Sequence, residues 1–192
     1  MKRIITISGT PGSGKSTITK ALCKKYKAKR LSVGHYMREL ARQKKMTLAE
    51  LNSLAQSDPT IDRQADQITA KRARLLAKKT PVVVEGRIQF YFLPESTKIF
   101  IKSNVTEAAK RIWGDLKDAE KNKKRNEAKV KNIDELKKEI IIRKKSELLR
   151  YKKYYGLNHY LAKHYDFILD TSHITAKEAI KKTLHFLDKR TK

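Results

Sequence analysis

Short apolar runs alternate along this chain with longer segments whose apolar residues recur at helical spacing. The apolar runs predict five strands, over Arg3–Ser8, Lys29–Val33, Pro81–Val84, Lys98–Lys102 and Asp166–Asp170. Strands that alternate with helices form parallel sheets with helices packed on both faces. The pattern therefore predicts an α/β fold built on a five-stranded parallel sheet.

Helical segments fill most of the sequence between these strands, and Thr-x-x-Glu boxes mark two of their starts. Thr47 with Glu50, and Thr175 with Glu178, have the spacing at which side chains satisfy the free N–H groups of a helix start. The predicted helices are a segment starting near Lys15, His35–Lys44, Thr47 to about Ser57, Thr60–Lys79, Asn104 through Trp113, Ile133–Lys153 and Thr175 to about Lys189.

The stretch from Asp115 to Lys138 differs in composition, because apolar residues become rare and charges of both signs crowd together. Such a segment buries little surface by itself. We expect it to form an exposed, mobile helical excursion from the domain.

A glycine-rich segment joins the first predicted strand to the first predicted helix. It runs from Gly9 to Ser16 and matches the phosphate-loop pattern G-x-x-x-x-G-K-[ST] in full. Its backbone N–H groups can surround phosphate oxygens, Lys15 supplies an ammonium for the β- and γ-phosphates, and Ser16 supplies a hydroxyl for Mg²⁺. The residues predicted to bind ATP are Gly9, Thr10, Pro11, Gly12, Ser13, Gly14, Lys15, Ser16 and Thr17.

A second polar cluster, Glu85-Gly86-Arg87, follows the third predicted strand, at the edge of the sheet where open α/β folds bind ligands. Glu85 can hold the water around Mg²⁺, and Arg87 can grip an acceptor phosphate with its fork of donors. A surface salt bridge in a strand-to-helix turn would explain the same residues, but the nearby phosphate loop favours the functional interpretation.

Three polar residues after the second predicted strand are candidates for binding the acceptor. Arg38 stands on a helix whose start should face the same crevice, although an exposed arginine is ordinary in so basic a chain. Asp62 and Asp66 are four residues apart and share a helix face, where they can accept hydrogen bonds from a base amino group. A solvated carboxylate pair is the competing interpretation.

Two arginines, Arg143 and Arg150, follow the charged stretch. Arginines that a closing flap brings to the reacting phosphates can stabilise the charge that builds up during phosphoryl transfer. Both stand among many lysines, so this pattern alone does not single them out.

Charge and cysteine content limit the classes of function. Of 192 residues, 46 are basic and 20 acidic, a net charge of +26 that attracts polyanions such as nucleotides or nucleic acid. The basic residues are spread over the whole chain, so charge alone assigns no function. Cys23 is the only cysteine, which excludes an internal disulfide and a cysteine-rich metal site. With no apolar run long enough for a membrane span, these features favour a cytoplasmic location.

In their order and spacing these motifs resemble those of the nucleoside monophosphate kinases and, more narrowly, of the archaeal-type cytidylate kinases. The resemblance extends over almost the whole chain. The segments that carry it are ISGTPGSGKST, the turn from Gly34 to Glu39, Asp58-Pro59 with Asp62 and Asp66, VVVEGR, SELLRYKKYYG and Tyr165–Ser172.

The resemblance implies transfer of a phosphoryl group from ATP to CMP or dCMP, with Mg²⁺ as cofactor and ADP as the second product. It implies a single P-loop kinase domain over residues 1–192. Within that domain, a small helical lobe that binds the nucleoside monophosphate would cover about 35–78, and a lid would cover about 112–145.

The resemblance also implies roles for individual residues. Arg38 and Arg87 would bind the phosphate of CMP, and the two aspartates on the helix after Pro59 would lie in the lobe around the base. Arg143 would be a lid arginine at the transferring phosphoryl group, with Arg150 as a further candidate.

Three positions depart from the family pattern and bear on the choice of base: His35, Lys144 and Asn158. A kinase for another monophosphate, AMP or UMP, therefore stays open. A P-loop ATPase that binds RNA or ribosomal particles also stays open, because the surface is basic. No basic stretch is interleaved with aromatic residues, however, so nucleic acid is not expected as a partner. We expect a monomer that does not bind membranes.

Overall fold

A sheet of five parallel strands forms the centre of the computed structural model, which describes residues 3–118 and 130–190. Across the sheet the strand order is β2-β3-β1-β4-β5, and each neighbouring pair is parallel. The strands are β1 (Ile4–Gly9), β2 (Lys29–Ser32), β3 (Val82–Glu85), β4 (Thr97–Lys102) and β5 (Phe167–Asp170). The predicted five-stranded parallel sheet is confirmed.

Helices connect the strands, and most of them follow the predicted pattern. The helices of the described residues are α1 (Lys15–Tyr26), α2 (Val33–Gln43), α3 (Leu48–Leu54), α4 (Pro59–Ala77), α5 (Gln89–Phe92), α6 (Val105–Lys117), α7 (Ile133–Tyr155) and α8 (Ala176–Lys189), with a 3₁₀ turn at Ala162–His164. The sequence pattern does not predict α5 or the 3₁₀ turn, because they are too short to show helical periodicity.

Apolar side chains cover both faces of the sheet. On one face, Ile7 packs with Leu22 of α1 and Leu187 of α8. On the other face, Val84 packs with Ala73 of α4. Burial of these apolar surfaces is the main term that holds helices on both sides of the sheet, as predicted.

A third apolar cluster lies outside the sheet and joins α2, α3 and the first half of α4. Its buried members include Met37 of α2, Leu51 of α3 and Ala65 of α4. Both halves of the predicted capping box at Thr47 and Glu50 are present at the start of α3. These helices therefore form a small helical lobe with an apolar core of its own, directly after the edge strand β2.

Several element boundaries differ from the prediction by one or two residues, two of them for reasons that the structure shows. Helix α2 begins at Val33 rather than at His35, because the Ser32 side chain caps it by accepting a hydrogen bond from the His35 N–H. Strand β1 continues through Gly9, since Gly9 still pairs with Ile101 of β4.

The charged stretch after Asp115 is more closely packed than its composition suggests. Leu136 is 3% exposed and packs with Ile112 and Ile140, while Val130 borders the same cluster. The expectation that the stretch is an exposed excursion is therefore wrong for its last part. It fails because the apolar partners Ile112 and Ile140 lie just outside the stretch, on the same two helices that the ends of the stretch belong to. Residues 119–129 of the stretch lie outside the described residues.

Candidate active site

The loop from Gly9 to Ser16 wraps around the start of α1, and its glycines adopt backbone conformations that other residues avoid. Gly12 has φ of +68° and Gly14 has φ of +82°, both in the left-handed region. A Cβ on Gly12 would lie 2.7 Å from the Ala108 carbonyl oxygen. The close approach of α6 and the turn of the loop therefore both require glycine.

The Lys15 side chain is buried within this loop. Its Nζ donates hydrogen bonds to the carbonyl oxygens of Thr10 at 2.6 Å and Gly9 at 3.1 Å. Burial and the positive charge of Arg87 lower the pKa of Lys15 well below its ordinary value. A negatively charged ligand at the loop would reverse this electrostatic penalty, which favours binding of phosphate.

The end of β3 lies next to the loop, because β1 and β3 are neighbours and Ile7 pairs with Glu85. Ser16 Oγ donates a 2.7 Å hydrogen bond to Glu85 Oε1, and Arg30 Nη2 donates a 2.8 Å bond to Glu85 Oε2. Burial alone would raise the pKa of Glu85, but Lys15, Ser16 and Arg30 outweigh it, so the pKa lies below its ordinary value. Glu85 is therefore a carboxylate at neutral pH.

Ser16 and Glu85 fit the preferences of Mg²⁺. Their oxygens are hard donors, and Mg²⁺ in phosphate sites is held by one or two protein groups together with waters and substrate phosphates. Within residues 3–118 and 130–190, no three histidine, cysteine or acidic side chains gather as a protein-only metal site.

Four arginines line the cleft in front of the loop: Arg111 of α6 and three arginines that the sequence analysis singled out. Arg38 of α2, Arg87 after β3 and Arg143 of α7 share it with Lys15, Ser16 and Glu85. Arg38 Nη1 also donates a 2.8 Å hydrogen bond to the Gly34 carbonyl oxygen. The predicted ATP-binding loop and the predicted acceptor arginines therefore face one continuous space.

Glu147 of α7 holds two of these arginines. Arg87 Nε donates to Glu147 Oε2 at 2.7 Å, and Arg143 Nε donates to Oε1 at 3.0 Å. Glu147 is only 3% exposed. Although burial opposes its charge, the two guanidinium groups hold the pKa of Glu147 well below its ordinary value. One buried carboxylate thus fixes arginines from two different elements.

Arg150 forms a second buried ion pair, with Asp62. Arg150 Nε donates to Asp62 Oδ2 at 2.8 Å, and the side chains are 3% and 6% exposed. Arg150 Nη1 also donates to the Asn52 carbonyl oxygen at 2.8 Å, which ties α7 to the helical lobe. Asp62 and Arg150 line a small cavity that continues from the cleft and is also lined by Met37 and Tyr151.

Asp66 is buried behind Asp62 and contacts Gln89 rather than this cavity. Its Oδ1 accepts a 2.7 Å hydrogen bond from Gln89 Nε2. Burial, reinforced by the negative charge of Asp62, raises the pKa of Asp66 to about 8. Asp62 and Asp66 are 4% and 2% exposed, so the alternative of a solvated carboxylate pair is wrong.

The raised pKa predicts that replacing Asp66 with asparagine stabilises the protein at alkaline pH. The folded state of the natural protein favours the protonated carboxyl, so its stability falls as the pH rises from about 4 towards 8. Asparagine cannot ionise, and its carbonyl can still accept from Gln89. We expect Asp66→Asn to gain about 2 kcal/mol over the natural protein in urea denaturation at pH 8.

That gain should shrink at pH 4.5, where the carboxyl is protonated in the folded state. Asp134→Asn is the matched control, because Asp134 is an exposed aspartate at the start of α7. A constant difference between Asp66→Asn and the natural protein from pH 4.5 to pH 8 would contradict the assignment.

Sequence reasoning missed Glu147, Arg30 and Arg111. Glu147 is four residues after Arg143 on one helix, a spacing that does predict contact. Arg111 of α6 donates to the Thr171 carbonyl oxygen at 2.6 Å and to Thr171 Oγ1 at 3.0 Å. Arg111 and Thr171 border a groove on the far side of the loop, and Gly14 also lines this groove. Their separation of 60 residues gives no local signal.

Comparison with known proteins identifies the family that carries these motifs. Residues 4–173 match the cytidylate kinase-like family. The chain belongs to this family. Its relatives include the cytidylate kinase of Methanosarcina mazei, 34% identical over 170 residues, which are 87% of this chain and 86% of the relative. The cytidylate kinase of Methanocella arvoryzae is 36% identical over 175 residues, 91% and 90% of the two chains. The resemblance found in the sequence is confirmed.

Solved structures confirm the fold of this cytidylate kinase-like chain. A shikimate kinase from Acinetobacter baumannii superposes with a TM-score of 0.60 over 97% of this chain and 93% of its own, at 15% identity. An uncharacterised protein from Eubacterium ventriosum gives 0.64 over 96% and 98%, at 17% identity. In the described part of the chain, no helix has the length and apolarity to cross a membrane.

Proposed function

We propose that the protein transfers the γ-phosphoryl group of Mg·ATP to CMP or dCMP, giving ADP and the cytidine diphosphate. One observation carries the proposal: the phosphate loop shares a single cleft with four arginines, among them Arg38, Arg87 and Arg143, in a chain of the cytidylate kinase-like family. The loop explains the donor, and the arginines explain a second, separate phosphate.

The donor occupies the loop side of the cleft. The N–H groups of the loop and the start of α1 bind the phosphates, and Lys15 turns from the loop carbonyls to the β- and γ-phosphates. The groove beside Arg111 and Thr171 has room for the base. Mg²⁺, when bound at Ser16 and Glu85, neutralises part of the charge on the transferring group.

The acceptor occupies the opposite side, between the sheet and the helical lobe. Arg38 and Arg87 bind its phosphate, and the cavity beside Asp62 and Arg150 receives its base. One phosphate oxygen of the acceptor attacks the γ-phosphorus in line, and the bond to the β,γ-bridging oxygen breaks, leaving ADP. Arg143 stabilises the equatorial oxygens during the transfer.

The helical lobe over about 35–78 and the lid over about 112–145 exclude water from this reaction. Exclusion matters because water would otherwise take the phosphoryl group and hydrolyse ATP. Contacts between lobe and α7 support this assignment: Gln56 Nε2 donates to Ser146 Oγ at 3.2 Å, and Arg150 joins Asn52. Residues 119–129 of the lid lie outside the described residues.

The three departures from the family pattern lie away from the acceptor cavity, which supports cytosine as the base. The Lys144 Nζ lies 5.7 Å from the centre of the Tyr160 ring, and Asn158 Oδ1 accepts a hydrogen bond from the Tyr160 N–H. The side chain of His35 borders a different groove. None of the three belongs to the described residues that line the cavity.

A panel of acceptors tests the proposal. ADP formation from Mg·ATP is measured with CMP, dCMP, UMP, AMP and no acceptor. We expect CMP or dCMP to stimulate turnover far above the others. Strong stimulation by AMP or UMP alone would support a nucleoside monophosphate kinase but contradict cytosine as the base of its acceptor. Turnover that RNA stimulates and no monophosphate does would favour the RNA-bound ATPase. We also propose that the protein is a cytoplasmic monomer, and gel filtration tests its oligomeric state.

Replacing Arg87 with alanine should raise the KM for CMP at least tenfold and change the KM for ATP less than threefold. The guanidinium serves the acceptor phosphate, and a charge-assisted hydrogen bond of this kind accounts for about tenfold in binding. Steady-state kinetics with each substrate varied in turn measures both constants. Arg63→Ala on α4 is the matched control, because Arg63 is exposed and lies outside the cleft. Equal changes in the two KM values would contradict this role.

A further inference from the structure

A second polar groove lies on the outer side of the edge strand β2, where α2 and α4 pack against it. It is lined by residues of all three elements, among them Arg30, His35 and Arg72. Of the described residues that line the catalytic cleft, Ser32 alone also lines this outer groove. The two spaces are therefore neighbours on opposite sides of the end of β2.

Donor side chains of the outer groove have unused hydrogen-bonding capacity. The side chains of Arg72 and His35 make no hydrogen bond or ion pair with any residue of the described chain, and both residues are exposed. Arg30 uses only Nη2, for Glu85, so the other donors of its guanidinium stay available. Glu39, the one carboxylate among the described residues that line the groove, is paired with Arg42. The groove thus presents net positive charge.

Apolar and aromatic residues form part of the remaining wall of the outer groove, beside the polar residues Ser32, Gln43 and Thr69. Leu31, Leu40 and Ile68 line it together with Tyr36, and Ile68 is 50% exposed. An inorganic anion would use only the donor side chains. A ligand with a phosphate and a small organic group would use the apolar wall as well, since burial of that group is favourable.

We propose that the outer groove is a second ligand site, separate from the catalytic cleft, which binds a phosphate monoester through Arg30, Arg72 and His35. Two guanidinium forks suit the oxygens of a phosphate group, and the imidazole adds a further N–H donor. The organic part of the ligand lies against Leu31 and Ile68.

Arg30 connects the outer groove to the catalytic cleft. Arg30 donates a 2.8 Å hydrogen bond to the Glu85 carboxylate, and Ser16 donates a 2.7 Å hydrogen bond to the other oxygen of the same carboxylate. A phosphate in the groove competes with Glu85 for Arg30 and leaves more negative charge at Glu85. This coupling rests on the proposed function, in which Ser16 and Glu85 hold Mg²⁺. It predicts that the bound monoester lowers the Mg²⁺ concentration needed for half-maximal turnover.

The second site is tested by a binding measurement without turnover. A negative result for this site can therefore be distinguished from a failure of the kinase proposal. The full chain is labelled with ¹⁵N-histidine, and the His35 imidazole signal is assigned by its loss in His35→Gln. Inorganic phosphate and phenyl phosphate are then titrated at constant ionic strength, which holds screening fixed. We expect a saturable shift of the His35 signal, with phenyl phosphate binding at least threefold more tightly.

Arg72→Gln should weaken binding of phenyl phosphate about tenfold. Its matched control is Lys71→Gln, which removes one positive charge from the residue just before Arg72 on α4. Lys71 lies outside the outer groove, so this change should alter binding less than twofold. Absence of a saturable shift, or equal weakening by the two variants, would overturn the site. Equal affinity for inorganic phosphate and phenyl phosphate would overturn the proposal that the site prefers a phosphate monoester. A site that binds phenyl phosphate without changing the Mg²⁺ requirement of the natural protein would overturn the coupling alone.

Discussion

Replacing Lys15 with alanine should lower kcat about a thousandfold while the protein stays folded. Lys15 brings a positive charge to the phosphates, and no neighbouring side chain on the loop can replace it, because the polar loop side chains Thr10, Ser13 and Ser16 are neutral hydroxyls. Since charge on the γ-phosphoryl group changes during transfer, the loss should fall on kcat more than on the KM for ATP.

Folding should survive the loss of Lys15, because burial already disfavours its charged form. The lowered pKa means that the folded chain binds the Lys15 proton less tightly than the unfolded chain does. At neutral pH the ammonium therefore carries an electrostatic penalty in the folded state, which alanine removes. This gain offsets the loss of the hydrogen bonds from Nζ to Gly9 and Thr10.

Single-turnover and steady-state kinetics measure the effect, and thermal unfolding confirms that the variant is folded. Lys20→Ala is the matched control, since Lys20 lies on the same helix α1 and is exposed. It should keep kcat within twofold of the natural protein. A Lys15→Ala enzyme that retains more than a tenth of the natural kcat would show that the loop acts differently from our proposal.

The sheet and the phosphate loop could be predicted from the sequence because their signals are local. A strand, a glycine-rich turn and an amphipathic helix follow one another between Ile4 and Tyr26, and each is visible in its own few residues. The capping boxes at Thr47 and Thr175 are equally local, and both are present. Patterns of this kind predict their structure from residues that are close together in the sequence.

The far side of the site depends on contacts between residues distant in sequence, which no local pattern reveals. Arg150 and Asp62 are 88 positions apart, and Arg87 and Glu147 are 60 apart. Sequence reasoning named Arg150 and Asp62 as separate candidates but could not pair them. Asp66 likewise binds Gln89 on α5, a helix too short to predict. The roles of these residues toward ligands stay predictions.

Replacing Glu147 with glutamine should destabilise the protein by about 3 kcal/mol and also weaken acceptor binding. The carboxylate is the common anion of Arg87 and Arg143, and an amide removes the negative charge that it places between these two partly buried guanidinium groups. Their repulsion then moves both arginines from the positions that the acceptor needs. We therefore expect the KM for CMP to rise more than the KM for ATP.

The pH dependence separates this explanation from a simple packing defect. The pKa of Glu147 is held below its ordinary value, so its stabilisation is complete above the unfolded pKa of about 4.3 and is lost as the pH falls towards the folded value. In urea denaturation, the gap between the natural protein and Glu147→Gln should be full at pH 7 and clearly smaller at pH 3.5. A packing defect would give the same gap at both.

Two further variants complete the test of Glu147. Glu139→Gln changes a carboxylate two helical turns earlier on α7, which makes no ion pair within the described residues, and should alter stability by less than about 0.5 kcal/mol. The double variant Arg87→Gln with Glu147→Gln should lose less stability than the sum of the single changes, because each removes the same interaction. Strict additivity, together with unchanged KM for CMP in Glu147→Gln, would mean that the buried carboxylate does not position the acceptor arginines.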